Sequence, residues 1–145
     1  MDQAVTASLT PLLIRCDPRL PNVWWKLSPY LERAIKESGC DRDWTIEDVF
    51  TLCSLGQCHL WALVIGQSYF GACVTQITQY PRRKVMDALL VGADDHTEGM
   101  WLQCFEQLKA IARSFGASSI SGTGRDGWFR KLDADRRRYV IEVDI

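Results

Sequence analysis

The spacing of hydrophobic positions changes along the chain, and the change separates a helical first third from a strand-rich centre. Between residues 58 and 66 nearly every position is apolar in a run too short for a helix, which predicts a central β-strand. Residues 69–80 alternate between apolar and polar side chains and predict its antiparallel partner in a hairpin. Residues 85–91 predict a third strand. The centre of the chain is therefore expected to be an antiparallel meander.

Two helices are expected before this meander, because each of two amphipathic stretches begins with a capping residue and ends at a glycine. Ser28, which a proline follows, is an N-cap signal for a helix over residues 28–38. Thr45 and Asp48 form a capping-box pattern for a helix over residues 45–55. Both helices thus precede the sheet in chain order.

The chain after the meander predicts a crossover connection. Residues 98–115 place apolar side chains on one face and predict a long amphipathic helix. A strand over 118–122 then lies parallel to the strand at 85–91, if the connection is the usual right-handed one. A short helix over 126–132 and an alternating strand over 138–144 follow. The expected fold is an α/β (α+β) mixed sheet of about six strands, with an antiparallel meander, then a parallel β-α-β crossover, and helices on both faces.

Composition adds that the chain is a single domain. With 145 residues, 47% of them hydrophobic, the chain is large enough to bury a core. Residues 1–145 are expected to form one domain, in which residues 1–21, with three prolines, are an arm or edge strand. A formal net charge of -1 predicts no general attraction to nucleic acid or membranes. No apolar run has the length of a membrane span and no secretion signal is recognisable, so an intracellular, non-membrane protein is expected.

The cysteines and histidines predict neither a disulfide framework nor a metal site. The six cysteines include no CxxC pair, and neither of the two histidines has a second ligand at metal spacing. Cys73 and Cys104 are weak candidates for a nucleophile, because apolar neighbours raise the pKa of a thiol. Reduced, buried thiols are the expected state.

The order of these elements resembles that of the GNAT acyltransferase superfamily. The most specific local match is the segment Ser119–Trp128, which looks like the strand and Gly-Arg-x-Gly-Trp segment of small GNAT-like proteins encoded by tailed bacteriophages. The segments Leu60–Gly66 and Tyr80–Val85 look like the same phage group. The resemblance implies a GNAT-like fold over nearly the whole chain and a protein of phage origin.

The resemblance also implies where acetyl-CoA would bind. In the superfamily the pantetheine arm lies between the fourth and fifth strands, and the pyrophosphate sits on backbone amides of a Q/R-x-x-G-x-G/A loop before the long helix. That loop corresponds here to Gly92–Gly99, and only its two glycines are kept. The predicted cofactor contacts are Val91, Gly92, Gly99 and Arg125.

Three acidic residues in this loop weigh against a phosphate. Asp94, Asp95 and Glu98 stand among the amide donors, and one carboxylate 4 to 6 Å from a phosphate repels it by about 1 kcal/mol in water. The alternative interpretation is that Asp94, Asp95 or Thr97 is the N-cap of the long helix and Glu98 a favourable first-turn acid. On that interpretation the helix end is satisfied by its own carboxylates and has little left for a ligand.

The candidate catalytic residues do not form a convincing acid and base pair. Many superfamily members supply the acid from a tyrosine in the short helix after the fifth strand, and this chain has none there. Tyr139 is the substitute candidate for the acid. Asp87 is the first candidate for the base and Glu142 the second, although strand periodicity favours the interpretation of both as ordinary polar residues on a strand face or edge.

Basic and aromatic clusters predict an interaction patch. Its residues are Trp24, Trp25, Arg82, Arg83, Arg136 and Arg137. The arginines could contact an acidic protein surface, a nucleic-acid backbone or the 3′-phosphate of CoA, or they could simply be a solvated turn and strand edge. The adjacent tryptophans cannot both face inward, so one of them is expected at an interface.

Two functions remain open from the sequence. The first is a phage-type GNAT-fold protein with a degenerate, non-catalytic site and no cofactor, which contacts a phage structural protein or a host protein in the host cytoplasm or the virion. The second is an active N-acetyltransferase that uses acetyl-CoA. The altered loop and the missing tyrosine favour the first. Pairing into a homo-oligomer is compatible with either function.

Overall fold

The described part of the chain forms a five-stranded sheet with helices on both faces. The computed structural model describes residues 9–122 and 140–145. The strands are β1 Leu12–Cys16, β2 His59–Ile65, β3 Ser68–Gln79, β4 Lys84–Ala93 and β5 Ser119–Gly122. The helices are α1 Pro21–Glu37, α2 Ile46–Ser54 and α3 Glu98–Ser114, with a short 3₁₀ helix at Cys40–Arg42.

The strands lie in the sheet in their chain order, from β1 at one edge to β5 at the other. Neighbours from β1 to β4 are antiparallel, and β5 is parallel to β4 because α3 carries the chain back across one face. The predicted meander and parallel crossover are therefore confirmed. One buried cluster packs between the sheet and α3, and a second packs between the sheet and the pair α1 and α2. Because both faces are covered, β2 is almost continuously apolar rather than alternating.

Helix α1 begins earlier than the sequence predicts. It starts at Pro21 rather than at Ser28, and Pro29 lies inside it. Proline suits the first turn of a helix, where the missing N–H would have no partner. The internal Pro29 is tolerated because it lies on the exposed face, while Leu27 and Leu31 on the opposite face are fully buried. Burial of the apolar face thus outweighs the one hydrogen bond that Pro29 removes.

Helix α2 begins as the sequence predicts. The Thr45 hydroxyl accepts from the Asp48 N–H at 3.2 Å, and the Asp48 carboxylate accepts from the Thr45 N–H at 2.9 Å. Gly56 follows the helix with a φ of 77°, a conformation that glycine adopts without steric cost. The capping box and the glycine stop are both confirmed.

The predicted final strand is wrong for the part of it that the structure describes. Residues 140–145 form no strand, and the apolar side chains of Val140, Ile141, Val143 and Ile145 are at least 77% exposed. Alternation makes a segment compatible with a sheet edge, but hydrogen bonding to a neighbouring strand is what makes it a strand. The described tail is instead ion-paired through Arg42 to Glu142 and Asp144. The predicted helix over 126–132 lies outside the described residues.

Gly92 sets the distance between α1 and the sheet, and this predicts a large effect of a single methyl group. A Cβ at Gly92 would overlap the carbonyl oxygen of Tyr30 in α1, whereas a Cβ at Gly99 would meet nothing within 4 Å. We expect Gly92→Ala to lower the free energy of unfolding by about 1 to 3 kcal/mol. Gly99→Ala should leave it unchanged or raise it by up to about 1 kcal/mol. Urea unfolding of both variants measures the contrast, and equal stabilities would contradict it.

Candidate functional site

The candidate site is the gap that opens between β4 and β5. Among the described residues, the two strands pair over four positions, from Val85–Ala88 to Ser119–Gly122. On its other side β4 pairs with β3 as far as Ala93, and the register shifts so that Leu89 is an extra, bulged residue. Beyond Leu89, no strand in the described part of the chain lies on the β5 side of β4. Backbone groups of every second residue there point into the gap.

The N-terminus of α3 opens beside this gap. Thr97 is the N-cap residue, but no side chain caps the helix, because the Thr97 hydroxyl donates to the Asp94 carbonyl at 2.6 Å instead. The prediction of Thr97 as the N-cap residue and Glu98 as a first-turn acid is confirmed, but the expectation that side chains of the loop satisfy the helix amides is wrong. A helix start without a side-chain cap keeps amide donors and partial positive charge for an anion.

Asp94 is directed towards α1 rather than towards the helix that follows it. Its N–H donates to the Phe70 carbonyl at 2.8 Å, and its carboxylate accepts from the Tyr30 hydroxyl at 3.2 Å. Burial, with the negative charge of Asp94, raises the pKa of Tyr30. Asp95 and Glu98 remain exposed at the start of α3. Two of the three acids in the loop thus still oppose an anion there.

Arg33 is a positive charge at this loop that the sequence analysis did not single out. Its guanidinium lies 5.7 Å from the centre of the Tyr30 ring and donates to the Ala93 carbonyl at 2.6 Å. From helix periodicity alone, Arg33 is expected on the exposed face of α1. The packing of α1 on β4 brings Arg33 to the loop, and no sequence pattern indicates that contact.

The predicted cofactor contacts occupy different environments. Gly92 is buried within β4 against Tyr30, and this packing alone is enough to require a glycine. Val91 is half-buried and packs against the core cluster under α3. Gly99 is exposed in the first turn of α3, with open space at its Cβ position. Arg125 lies outside the described residues. Cofactor binding by these residues stays a prediction.

The predicted catalytic residues are not brought together in the described part of the protein. Asp87 is half-buried in β4, where its carboxylate accepts hydrogen bonds from the hydroxyls of Thr78 and Ser121. Glu142 is 69% exposed and pairs with Arg42 at 3.5 Å. Tyr139 lies outside the described residues. Thr78 and Ser121 have no motif around them, and only the register of three strands places them beside Asp87.

The residues of the predicted interaction patch lie on separate elements. Trp24 packs edge-on against Phe50 of α2, with ring centres 5.2 Å apart, whereas Trp25 is 64% exposed. The prediction that the two tryptophans do not both face inward is therefore confirmed. Arg82 is exposed in the turn before β4, and Arg83 donates to the Ser119 hydroxyl at 3.1 Å. Arg136 and Arg137 lie outside the described residues.

The described residues hold no group of three or more His, Cys, Asp or Glu side chains that could bind a metal ion. Among the described helices, none combines the length and the apolar character needed to cross a membrane.

The buried cysteines are not placed as nucleophiles. Burial, with a smaller effect of Cys104, raises the pKa of Cys73 to about 12, and burial raises the pKa of Cys104 to about 11. Both thiols are therefore neutral near pH 7, whereas a nucleophilic cysteine acts as the thiolate.

Solved structures show which proteins share this fold. An aminoglycoside acetyltransferase, meta-AAC0020 from an uncultured soil metagenomic sample, in complex with sisomicin, matches with a TM-score of 0.70 at 8% identity, covering 93% of this chain and 95% of that chain. A second one, HMB0005 from an uncultured soil metagenomic sample, matches with a TM-score of 0.68 at 14% identity, covering 94% and 97%. A Trypanosoma brucei acetyltransferase matches with a TM-score of 0.61 at 16% identity, covering 93% and 99%.

The chain thus has the fold of the GNAT acetyltransferases over nearly its whole length. No family model matches the sequence, and no curated protein matches it. Identities this low establish the fold alone. What the site does must therefore be argued from its own residues.

The raised thiol pKa values predict a loss of stability in alkali. The thiols ionise near pH 9 in the unfolded chain but only near 11 to 12 in the folded one. Their contribution to the free energy of unfolding is therefore complete below pH 9 and is lost as the pH rises towards 12. At pH 10 we expect about 1 kcal/mol of destabilisation for each buried thiol.

Between pH 7 and pH 10 the free energy of unfolding of the Cys104→Ala variant should fall by about 1 kcal/mol less than that of the unmutated protein, as measured by urea unfolding. Leu108→Ala, one turn further along α3, is the control for the loss of buried volume and should keep the full pH effect. An equal loss of stability with pH in the two variants would show that ionisation of Cys104 does not contribute to it.

Proposed function

We propose that this protein is an acetyltransferase that uses acetyl-CoA and acetylates an amine. The observation that carries the proposal is the N-terminus of α3, which has no side-chain cap and has open space at Gly99, directly beside the gap between β4 and β5. The GNAT acetyltransferase fold of the chain supports the same conclusion. The gap suits a long ligand, the amide donors of α3 suit an anionic one, and the fold is that of proteins that use acetyl-CoA. Together they favour a phosphorylated thioester.

The residues present fit this ligand in part. The first turn of α3 offers N–H donors and about half a positive charge from the helix dipole to a pyrophosphate. Arg33 adds a guanidinium close to the loop. Past Leu89, the β5-side edge of β4 offers backbone groups to a pantetheine arm, whose amides are suited to pairing with a strand edge. Acetyl-CoA, when bound, supplies the activated acetyl group.

Asp95 and Glu98 weaken this binding but do not abolish it. Both carboxylates are exposed, so water screens them and each costs about 1 kcal/mol at 4 Å from a phosphate. The Asp94 carboxylate accepts from the Tyr30 hydroxyl and is directed towards α1. A dissociation constant raised by one or two orders of magnitude still permits binding at millimolar concentrations of ligand.

The chain's contribution to the chemistry is to take up the proton of the acceptor amine. Asp87 is a half-buried carboxylate one pair before the last described pair of β4 and β5, and an amine that attacks a thioester must lose a proton. Two of the similar solved structures are named as aminoglycoside acetyltransferases, and aminoglycosides carry amino groups.

A bulky residue at Gly99 should weaken acetyl-CoA binding without unfolding the protein. Gly99→Trp fills the open space over the first turn of α3, so we expect calorimetry to show at least tenfold weaker binding. Ala110→Trp is the matched control, because Ala110 is exposed on the same face about three turns further along. It should bind as the unmutated protein does. Absence of binding by the unmutated protein at millimolar acetyl-CoA would overturn the proposal.

Neutralising the two exposed acids should strengthen binding. We expect the double variant Asp95→Asn/Glu98→Gln to bind acetyl-CoA about tenfold more tightly at low salt, with a smaller gain at high salt. The control Asp43→Asn/Glu47→Gln changes the net charge equally but on the α2 side of the protein, and should leave the affinity unchanged. Equal affinities for both double variants would show that the pyrophosphate does not lie at the start of α3.

A second candidate function is a non-catalytic, phage-type GNAT-fold protein that acts through protein contacts. The exposed ring of Trp25 favours it, since tryptophan is enriched at protein interfaces. The partner would be a phage structural protein or a host protein. Failure of the unmutated protein and of the acid-neutralised variant to bind acetyl-CoA favours this candidate. Mass spectrometry of purified particles then separates a virion component from a host-directed factor.

A further inference from the structure

The carboxylate of Asp87 is held from both sides by hydroxyl groups of the neighbouring strands. Thr78 of β3 donates to Oδ2, and Ser121 of β5 donates to Oδ1. All three residues are half-buried. Each carboxylate oxygen thus has one hydroxyl partner, and the three side chains form a bridge across three adjacent strands. We refer to Thr78, Asp87 and Ser121 as the strand latch.

The strand latch lies where β4 and β5 separate. Asp87 is paired with Ser121, and one further pair among the described residues, Ala88 with Gly122, follows before the bulge at Leu89. In a parallel pair, residues at the same register position project from the same face of the sheet. The latch therefore fixes a carboxylate one pair before the last described pair of β4 and β5, two residues from the bulge.

The chemistry of the latch leaves the carboxylate able to act. Hydrogen bonds from hydroxyl donors stabilise an ionised carboxylate, and each of its oxygens can accept more than one hydrogen bond. A single hydroxyl on each oxygen therefore holds the orientation of Asp87 and still leaves acceptor capacity for a group in the gap. A pairing with Arg or Lys would have neutralised the carboxylate instead.

Attachment of β5 to β4 does not by itself require the latch. The backbone ladder already joins the two strands. In addition, Ser119, two residues before Ser121 on β5, accepts a hydrogen bond from Arg83 in the turn before β4. Ser119 and Ser121 are both half-buried and project from the same face of the strand. Of these two serines, Ser121 is the one that donates to Asp87.

We infer that Thr78 and Ser121 are positioning residues, which hold Asp87 in the orientation from which it takes the proton of the acceptor amine. The catalytic consequence rests on the proposed acetyltransferase function. The positioning itself is a property of the three side chains, so it is measured separately.

The first experiment measures positioning without turnover. Three-bond N–Cγ couplings by NMR should report a single χ1 rotamer of Asp87 in the unmutated protein and averaged rotamers in Ser121→Ala and Thr78→Val. The conservative variants Ser121→Thr and Thr78→Ser should restore the single rotamer. Ser119→Ala is the matched control and should leave it unchanged. A single rotamer in both hydroxyl-deleted variants, or averaging in the unmutated protein, would overturn the inference.

The second experiment measures the catalytic consequence, with acetyl-CoA as donor and sisomicin as the amine probe. We expect Ser121→Ala and Thr78→Val to lower kcat about tenfold while KM for acetyl-CoA changes less than twofold, because base catalysis depends on orientation. Ser119→Ala should keep kcat. Unchanged kcat in the hydroxyl-deleted variants overturns the catalytic role. If the unmutated protein neither binds acetyl-CoA nor turns over, the proposed function fails, and the rotamer measurement still decides whether the latch positions Asp87.

Discussion

The constraint on which the site depends is the unequal pairing of β4. On one side this strand is hydrogen-bonded to β3 along its whole length, and on the other the described residues of β5 pair with it over four positions. The bulge at Leu89 follows the last of these pairs. The short pairing with β5 leaves the gap beside β4. The full pairing with β3 supports the other edge of β4 along its length. The geometry of the site is therefore a property of one strand and its two neighbours.

Tight packing on the other side of β4 keeps this arrangement in place. Gly92 lets the backbone of Tyr30 approach the strand, and the same helix brings Arg33 to the Ala93 carbonyl. The Tyr30 hydroxyl also engages Asp94, which turns that carboxylate away from α3. The packing of α1 against Gly92 thus sets the orientation of the Asp94 carboxylate and brings the positive charge of Arg33 to the loop. Both effects favour an anion at the loop more than its three acidic residues indicate.

Much of the fold could be predicted from the sequence because its signals are local. The capping box of Thr45 and Asp48 and the change in apolar spacing after residue 58 each involve residues a few positions apart. The start of α1 was missed because Ser28 with Pro29 is a good local signal, yet the buried face that begins before it continues through it. The described tail after residue 139 shows the reverse case, in which the period of a strand occurs without a neighbouring strand to pair with.

The sequence by itself determined the order of the elements and the candidate loop, because hydrophobic period, capping and glycine stops act between neighbours in the chain. Only the tertiary structure decided what the charged and hydroxyl groups do. Asp87 meets Thr78 and Ser121, and Asp94 meets Tyr30, across separations of 9, 34 and 64 residues. Such contacts depend on strand register and helix packing, which no short stretch of sequence contains.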